Sequence, residues 1–191
     1  MKANKPITSF ISTLLILALA QSAMAVKVSK QEEAQWLHCV IPLPKQISIM
    51  SKVELPAAAV KIRLRQDAGE VVKTAAAELS ALFKEKANVD ASTGSFEILI
   101  GVCDKEGKIE GATILHADEL AELPNWRQAY VIHAIDENRL VLTALDERGV
   151  YYAVQTLCQL LDTKFADGKV SMPLVTATDR LMTRSRCSVV G

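Results

Sequence analysis

The stretch Leu140-Val141-Leu142-Thr143-Ala144, the turn Asp146-Glu147, and then Gly149-Val150-Tyr151-Tyr152-Ala153-Val154-Gln155-Thr156-Leu157-Cys158-Gln159-Leu160-Leu161 decide the fold. The first run is apolar and β-rich, short enough for a strand and bounded by acids. The second repeats apolar residues at helical spacing, so Val150, Val154, Leu157, Cys158 and Leu161 share one face. A strand that turns through Asp-x-x-Gly into a helix spanning roughly residues 147–162 is half of an α/β layer.

Working outward, Tyr130 to Ile135 and Arg139 to Leu145 are two β-rich runs joined by Asp136-Glu137-Asn138, which predicts a hairpin. Phe96 to Val102 (FEILIGV) is apolar on both alternating sets, as in a central strand. Before it, Val72, Ala75, Ala76, Leu79, Leu82 and Phe83 form the stripe of a core-facing helix. Asp67 and Glu70 have capping-box spacing at its start, and Asn88 can end it. Gln46 to Met50 and Val60 to Leu64 read as strands, the latter alternating apolar and basic residues. Lys169 to Ala177 reads as a last strand, whose Pro173 predicts an edge or a strand end. Residues 103–128 are irregular, with a short helix expected near Ala117 to Leu123. The order predicts an α+β fold, a mixed β-sheet with two helices packed on one face.

The first 25 residues read as an export signal. Lys2 and Lys5 precede the apolar run Phe10 to Ala20, and Ala23-Met24-Ala25 is a small-x-small cleavage site. The run is shorter than the ~20 residues that span a bilayer, so no stable membrane span is expected after cleavage. Removing residues 1–25 from the 191-residue chain leaves 166, one domain in length. The signal carries two lysines and no acid, so the remainder has 20 basic and 22 acidic residues, a net charge of −2. That balance gives nucleic acid no electrostatic reason to bind. The expected divisions are a signal over 1–25, a polar lead-in over 26–38, an α/β accessory domain over 39–179, and a linker with the start of a catalytic barrel over 180–191. The expected location is exported, periplasmic or extracellular, where disulfides among Cys39, Cys103, Cys158 and Cys187 are permitted but their pairing is open.

No residue set points to catalysis in this chain. His116-Ala117-Asp118-Glu119 holds an adjacent acid pair, but acids at the start of a short helix are ordinary. An independent small hydrolase would have to use Asp118 or Glu119. Asp136, Glu137, Asp146 and Glu147 fall in a turn and a helix start, where acids are common for local reasons. His38, His116 and His133 are scattered, no metal motif occurs, and neither a metal nor a cofactor is implied. Among the aromatics, Trp36 and Trp126 with the tyrosines could form a sugar-stacking platform. Trp126, in Pro124-Asn125-Trp126-Arg127, is the residue most readily placed on a loop and is the candidate ligand contact.

Taken together, these features resemble the small α/β domain that precedes the catalytic TIM barrel in hexosaminidase-type glycoside hydrolases. Those are families 20 and 84, with α-glucuronidases as relatives. The resemblance covers about Ile41 to Asp179 and is strongest over Tyr130 to Leu161. It rests on the strand, Asp-x-x-Gly, the aromatic pair, Gln-Thr-Leu and Gln-Leu-Leu in that order, carried by Gly149, Tyr151, Tyr152, Gln155, Thr156, Leu157, Gln159 and Leu160. Pro42-x-Pro44 near the start and Asp179 and Arg186 near the end fit too. Leu181, Cys187 and Val190 stand where the family has Pro, Gly and Glu, so the exact family and the sugar stay open.

The resemblance implies a parent that removes terminal N-acetylhexosamines from glycans. Its mechanism would be substrate-assisted, the sugar's own acetamido oxygen attacking the anomeric carbon while a barrel acid protonates the leaving oxygen. The barrel, which needs about 250 residues, would be a domain of the same polypeptide and this chain's partner. The chain itself would be non-catalytic and structural, docking on the barrel and stabilising it. A second possibility is a free-standing secreted module that binds carbohydrate or protein.

Overall fold

The computed structural model describes residues 24–179. The expected export signal, but for its last two residues, and the segment 180–191 with Cys187, where a linker is expected, lie outside the described residues.

The chain runs β1 (Ala25–Lys27), α1 (Lys30–Leu37), β2 (Gln46–Pro56), β3 (Val60–Leu64), α2 (Glu70–Ala87) and β4 (Phe96–Val102). Two short strands, β5 (Lys108–Ile109) and β6 (Ala112–Thr113), precede a 3-10 turn at Asp118–Glu122. Then come β7 (Tyr130–Asp136), β8 (Arg139–Ala144), α3 (Glu147–Leu161), β9 (Phe165–Ala166) and β10 (Lys169–Asp179). The main sheet has the order β1-β2-β10-β7-β8-β4-β3, with β9 paired to β10. β3, β4 and β8 are parallel, and the other neighbours are antiparallel. The sheet is therefore mixed, as the sequence predicts.

Alternation along the central strands divides the side chains between two cores. Ile98, Ile100, Leu140, Leu142 and Ile132 join one continuous core with α2 and α3. Leu99, Val141 and Val131 face the other way and meet Ile109, Ile114, Ala117 and Leu120. A parallel pair needs a crossover. α2 supplies it between β3 and β4, and residues 103–129 with β7 supply it between β4 and β8. The irregular segment is thus a lid over the second face of the sheet. It is not a loop reaching into solvent.

Four local readings are corrected by the structure. The lead-in is ordered: α1 is a third helix, N-capped by Ser29, whose side chain accepts from the Glu32 amide at 3.2 Å. Its periodicity is weak because Trp36 is the one buried residue it supplies to the core. β2 runs to Pro56, six residues beyond the expected end. Asp67 does not cap α2. It pairs with Arg65 at 2.8 Å, and the N-cap is Gly69 with no side-chain bond. Instead the Val71 amide donates to Glu147 Oε2 at 3.3 Å, a carboxylate from the next helix placed at the positive helix end. Lastly, β10 lies between β2 and β7 and is not an edge strand. Pro173 is tolerated because it falls between the stretch paired with β9 and the stretch paired with β7, beside a bulge at Leu174/Val175.

The Asp-x-x-Gly turn has a packing cause. Asp146 caps α3, accepting from the Arg148 amide at 3.0 Å. At Gly149 a Cβ would stand 2.4 Å from the Ala129 carbonyl oxygen and 2.6 Å from Ala144 Cβ. Only glycine lets the first turn of α3 sit this close to β8 and to the end of the lid.

Candidate functional site

α3 is buried almost all round, yet one stripe of it reaches the surface. Tyr151, Tyr152, Gln155, Thr156 and Gln159 line a cleft of about 500 Å³, together with Ile41, Pro42, Asn125, Gln128 and Tyr130. Five of the motif residues therefore converge on one site. Leu157 and Leu160 go inward to the core, and Gly149 makes the close approach.

Most polar motif residues are held by a hydrogen-bond partner within the domain. The Ile41 amide donates to Gln159 Oε1 at 2.9 Å, and Gln159 Nε2 donates to the Ile41 carbonyl at 3.0 Å. The side-chain amide thereby completes both backbone groups of a segment that has no strand partner there. The following Ile41–Pro42 peptide is cis. Tyr130 and Thr156 share a buried hydroxyl–hydroxyl bond of 2.7 Å. Glu78, from α2, accepts from Tyr151 Oη at 3.4 Å and from Gln155 Nε2. Burial, and then the Glu78 carboxylate, raise the Tyr151 pKa, so the phenol stays a donor. Tyr151 and Tyr152 meet edge to face with ring centroids 6.1 Å apart. Tyr152 is 44% exposed.

Among the described residues, none of those lining the cleft is Asp, Glu, Lys or Arg. It offers amides, hydroxyls and aromatic faces, which suit uncharged polar partners. Its described lining residues include no nucleophile–base pair and no paired carboxylates of the kind that glycosidic cleavage uses.

The other candidate residues fall elsewhere. Trp126 is 37% exposed, with the Arg127 guanidinium 5.2 Å from its ring centroid. Its neighbour Asn125 lines the cleft, and Trp126 does not. Trp36 is 1% exposed, with the Lys164 ammonium 4.4 Å from its ring centroid, so it cannot take part in a sugar platform. His116 adopts a left-handed backbone and its Nδ1 lies 2.7 Å from Glu119 Oε1. The tempting acid pair is thus part of the lid's 3-10 turn. His133 Nδ1 is buried without a hydrogen-bond partner among the described residues. Burial and then nearby His116 lower its pKa. Among the described residues no group of three or more His, Cys, Asp or Glu could hold a metal ion. No described helix is long and apolar enough to cross a membrane.

On the lid face, Arg63 grips Glu97 with Nε at 2.8 Å and Nη2 at 3.1 Å, and also binds Glu110. Arg139 Nε lies 3.0 Å from the same Glu97. This network ties β3, β4 and β8 to the lid. The Arg63 hydrogen bond is the chief reason that Glu97 titrates below the usual carboxylate range.

Sequence reasoning missed Ile41, Asn125, Gln128 and Tyr130 as lining residues. Only the cleft's helical half has a periodic signature. The other half comes from an extended segment and a loop, where spacing carries no information.

Comparison with known proteins agrees with the architecture. The model of glycosyl hydrolase family 20, domain 2, matches residues 37–180. Among solved structures, a Vibrio harveyi family 20 exo-β-N-acetylglucosaminidase aligns with TM-score 0.51 at 15% identity, covering 83% of this chain and 20% of that one. The N-acetyl-β-hexosaminidase of Streptomyces plicatus aligns with TM-score 0.50 at 18% identity, covering 75% and 26%. The Flavobacterium johnsoniae chitobiase aligns with TM-score 0.50 at 14% identity, covering 74% and 20%. The chain spans about a fifth to a quarter of the length of these structures. No curated protein matches it in sequence. With well over half its residues matched in one stretch, the chain belongs to the family described as glycosyl hydrolase family 20, domain 2.

Proposed function

We propose that this chain is the non-catalytic accessory domain of an exported hexosaminidase-type glycoside hydrolase. The observation that carries this reading is the coincidence of a family 20 domain 2 match with an α3 cleft whose described lining residues include no acid–base pair. The parent polypeptide contributes a barrel with the catalytic carboxylates and acts on glycans that end in N-acetylhexosamine. This domain, over about residues 39–179, holds that barrel in its folded form. The sequence before Val26 directs export and is removed, and residues 180–191 hold the linker and the start of the barrel.

The reading is tested by expressing the whole reading frame that carries this sequence and assaying a chromogenic N-acetylglucosaminide. Hydrolysis by that product supports it. A reading frame without a barrel, or a barrel product inactive on N-acetylhexosaminides, overturns it. Export is tested by fractionation with N-terminal mass spectrometry. A chain starting at Val26 outside the cytoplasm is expected, and a cytoplasmic chain with residues 1–25 intact contradicts it.

A further inference from the structure

We infer that the export signal must be cut off before this domain folds, because the bond to be cut lies inside a strand of the sheet. This rests on the export reading and adds to it the order of events.

The bond is Ala25–Val26, after the small-x-small triplet Ala23-Met24-Ala25. Both of its residues belong to β1, where Ala25, Val26 and Lys27 pair antiparallel with Val53, Lys52 and Ser51 of β2. Met24 just before them is 78% exposed, whereas Ala25 packs against the main core. A signal peptidase takes its substrate as an extended strand and seats the small side chains before the bond in its own pockets. Ala25 cannot fill such a pocket while it packs on the sheet.

The fold leaves little slack beside the bond. Val28 is buried, and its amide donates to the Met50 carbonyl at 3.0 Å. Val26 and Lys27 alone separate Val28 from the bond, about 7 Å of extended chain. Behind Val28, α1 is clamped to β2. The Ile49 amide donates to Glu33 Oε1 at 3.0 Å, Lys52 Nζ lies 2.9 Å from Glu32 Oε1, and Trp36 is buried. Freeing the bond therefore means peeling β1 from the sheet edge and drawing Val28 out of the core. Cleavage of the folded chain then follows the small population of that open form.

The order has a consequence for transport. A copy that folds first keeps its signal, so the chain must cross the membrane unfolded, lose residues 1–25, and then close β1 onto β2. The n-region agrees. Its basic residues are Lys2 and Lys5, and it lacks the twin arginine of the alternative export address.

The test uses the precursor of the full reading frame, purified in urea and diluted into detergent micelles with signal peptidase. With the peptidase present from the start, mass spectrometry should find the cut after Ala25. The same precursor, refolded before the peptidase is added, should be cut at least about a hundredfold slower. A second precursor carries a flexible Gly/Ser spacer of about ten residues between Val26 and Lys27, which moves the bond outside the fold. It should be cut equally fast in both states. Equal rates for the natural precursor, or full protection of the spacer form by folding, overturn the inference and leave the export reading standing. No cut in either state, while a known exported precursor is cut in the same micelles, overturns the export reading and the inference with it.

Discussion

Gln159 on α3 binds both backbone groups of Ile41, 118 positions earlier in the chain, at 2.9 and 3.0 Å. A side-chain amide has one acceptor and two donors, so it can imitate the backbone of a missing strand partner. Gln159 thus fixes the Cys39–Lys45 segment as one wall of the cleft. Glutamate at this position keeps the acceptor and loses the donor. Gln159→Ala should cost about 1–2 kcal/mol, from two hydrogen bonds at an exposed site. The same variant should speed amide exchange at Ile41 without changing it in β4. Unaltered exchange at Ile41 would show that the segment is held by something else.

Gly149 predicts a larger loss. With Ala129 O at 2.4 Å and Ala144 Cβ at 2.6 Å from an added Cβ, backbone on two sides must move. Gly149→Ala should destabilise by about 1–3 kcal/mol in denaturant titration, as overpacking does, despite alanine's higher helix propensity. A neutral or stabilising effect would contradict the close approach of α3 to the sheet.

Glu97 ties three strands to the lid through Arg63, and its pKa is depressed chiefly by that bond. A depressed carboxylate contributes stability that is present above its unfolded value and lost as pH falls through the folded value. Its share should therefore be full above the ordinary value of 4.5 and disappear below it. Thermal melting of wild type should fall more steeply below pH 4.5 than that of Glu97→Gln. Both are partly exposed groups, so the difference at neutral pH should be modest, about 1 kcal/mol or less. Parallel pH profiles for the two proteins would remove Glu97 from the account.

The described thiols divide by burial. Cys39 is exposed, Cys103 is buried, and Cys158 is half-buried with its pKa pushed up to about 12 by burial. Burial also raises Cys103. After reduction at neutral pH, iodoacetamide followed by peptide mapping should label Cys39 at least about tenfold faster than Cys158, since the thiolate is the nucleophile. Equal labelling would show that α3 opens readily.

The sequence made legible those elements that obey a period. β4 and α3 are found with bounds as read or one residue shorter, and both lie where alternation or a helical stripe is strong. α1 was hidden because its anchoring is three residues, Val28, Trp36 and Val40, two of them outside the helix. The lid was hidden because its core, with Ile109, Ile114 and Leu120, is built on turns. Pro173 misled because its effect depends on which strand lies beside it, a tertiary fact. The cleft was half legible: the motif on α3 marks one wall, and the amide of Gln159 chooses the other.

The central claim is that this domain supports catalysis without performing it. The most direct measurement is turnover of a chromogenic N-acetylglucosaminide by purified residues 26–191, against a mock purification. The account predicts a rate equal to the mock. Turnover well above it, lost in Glu119→Gln, would contradict the account and place the chemistry in the chain itself.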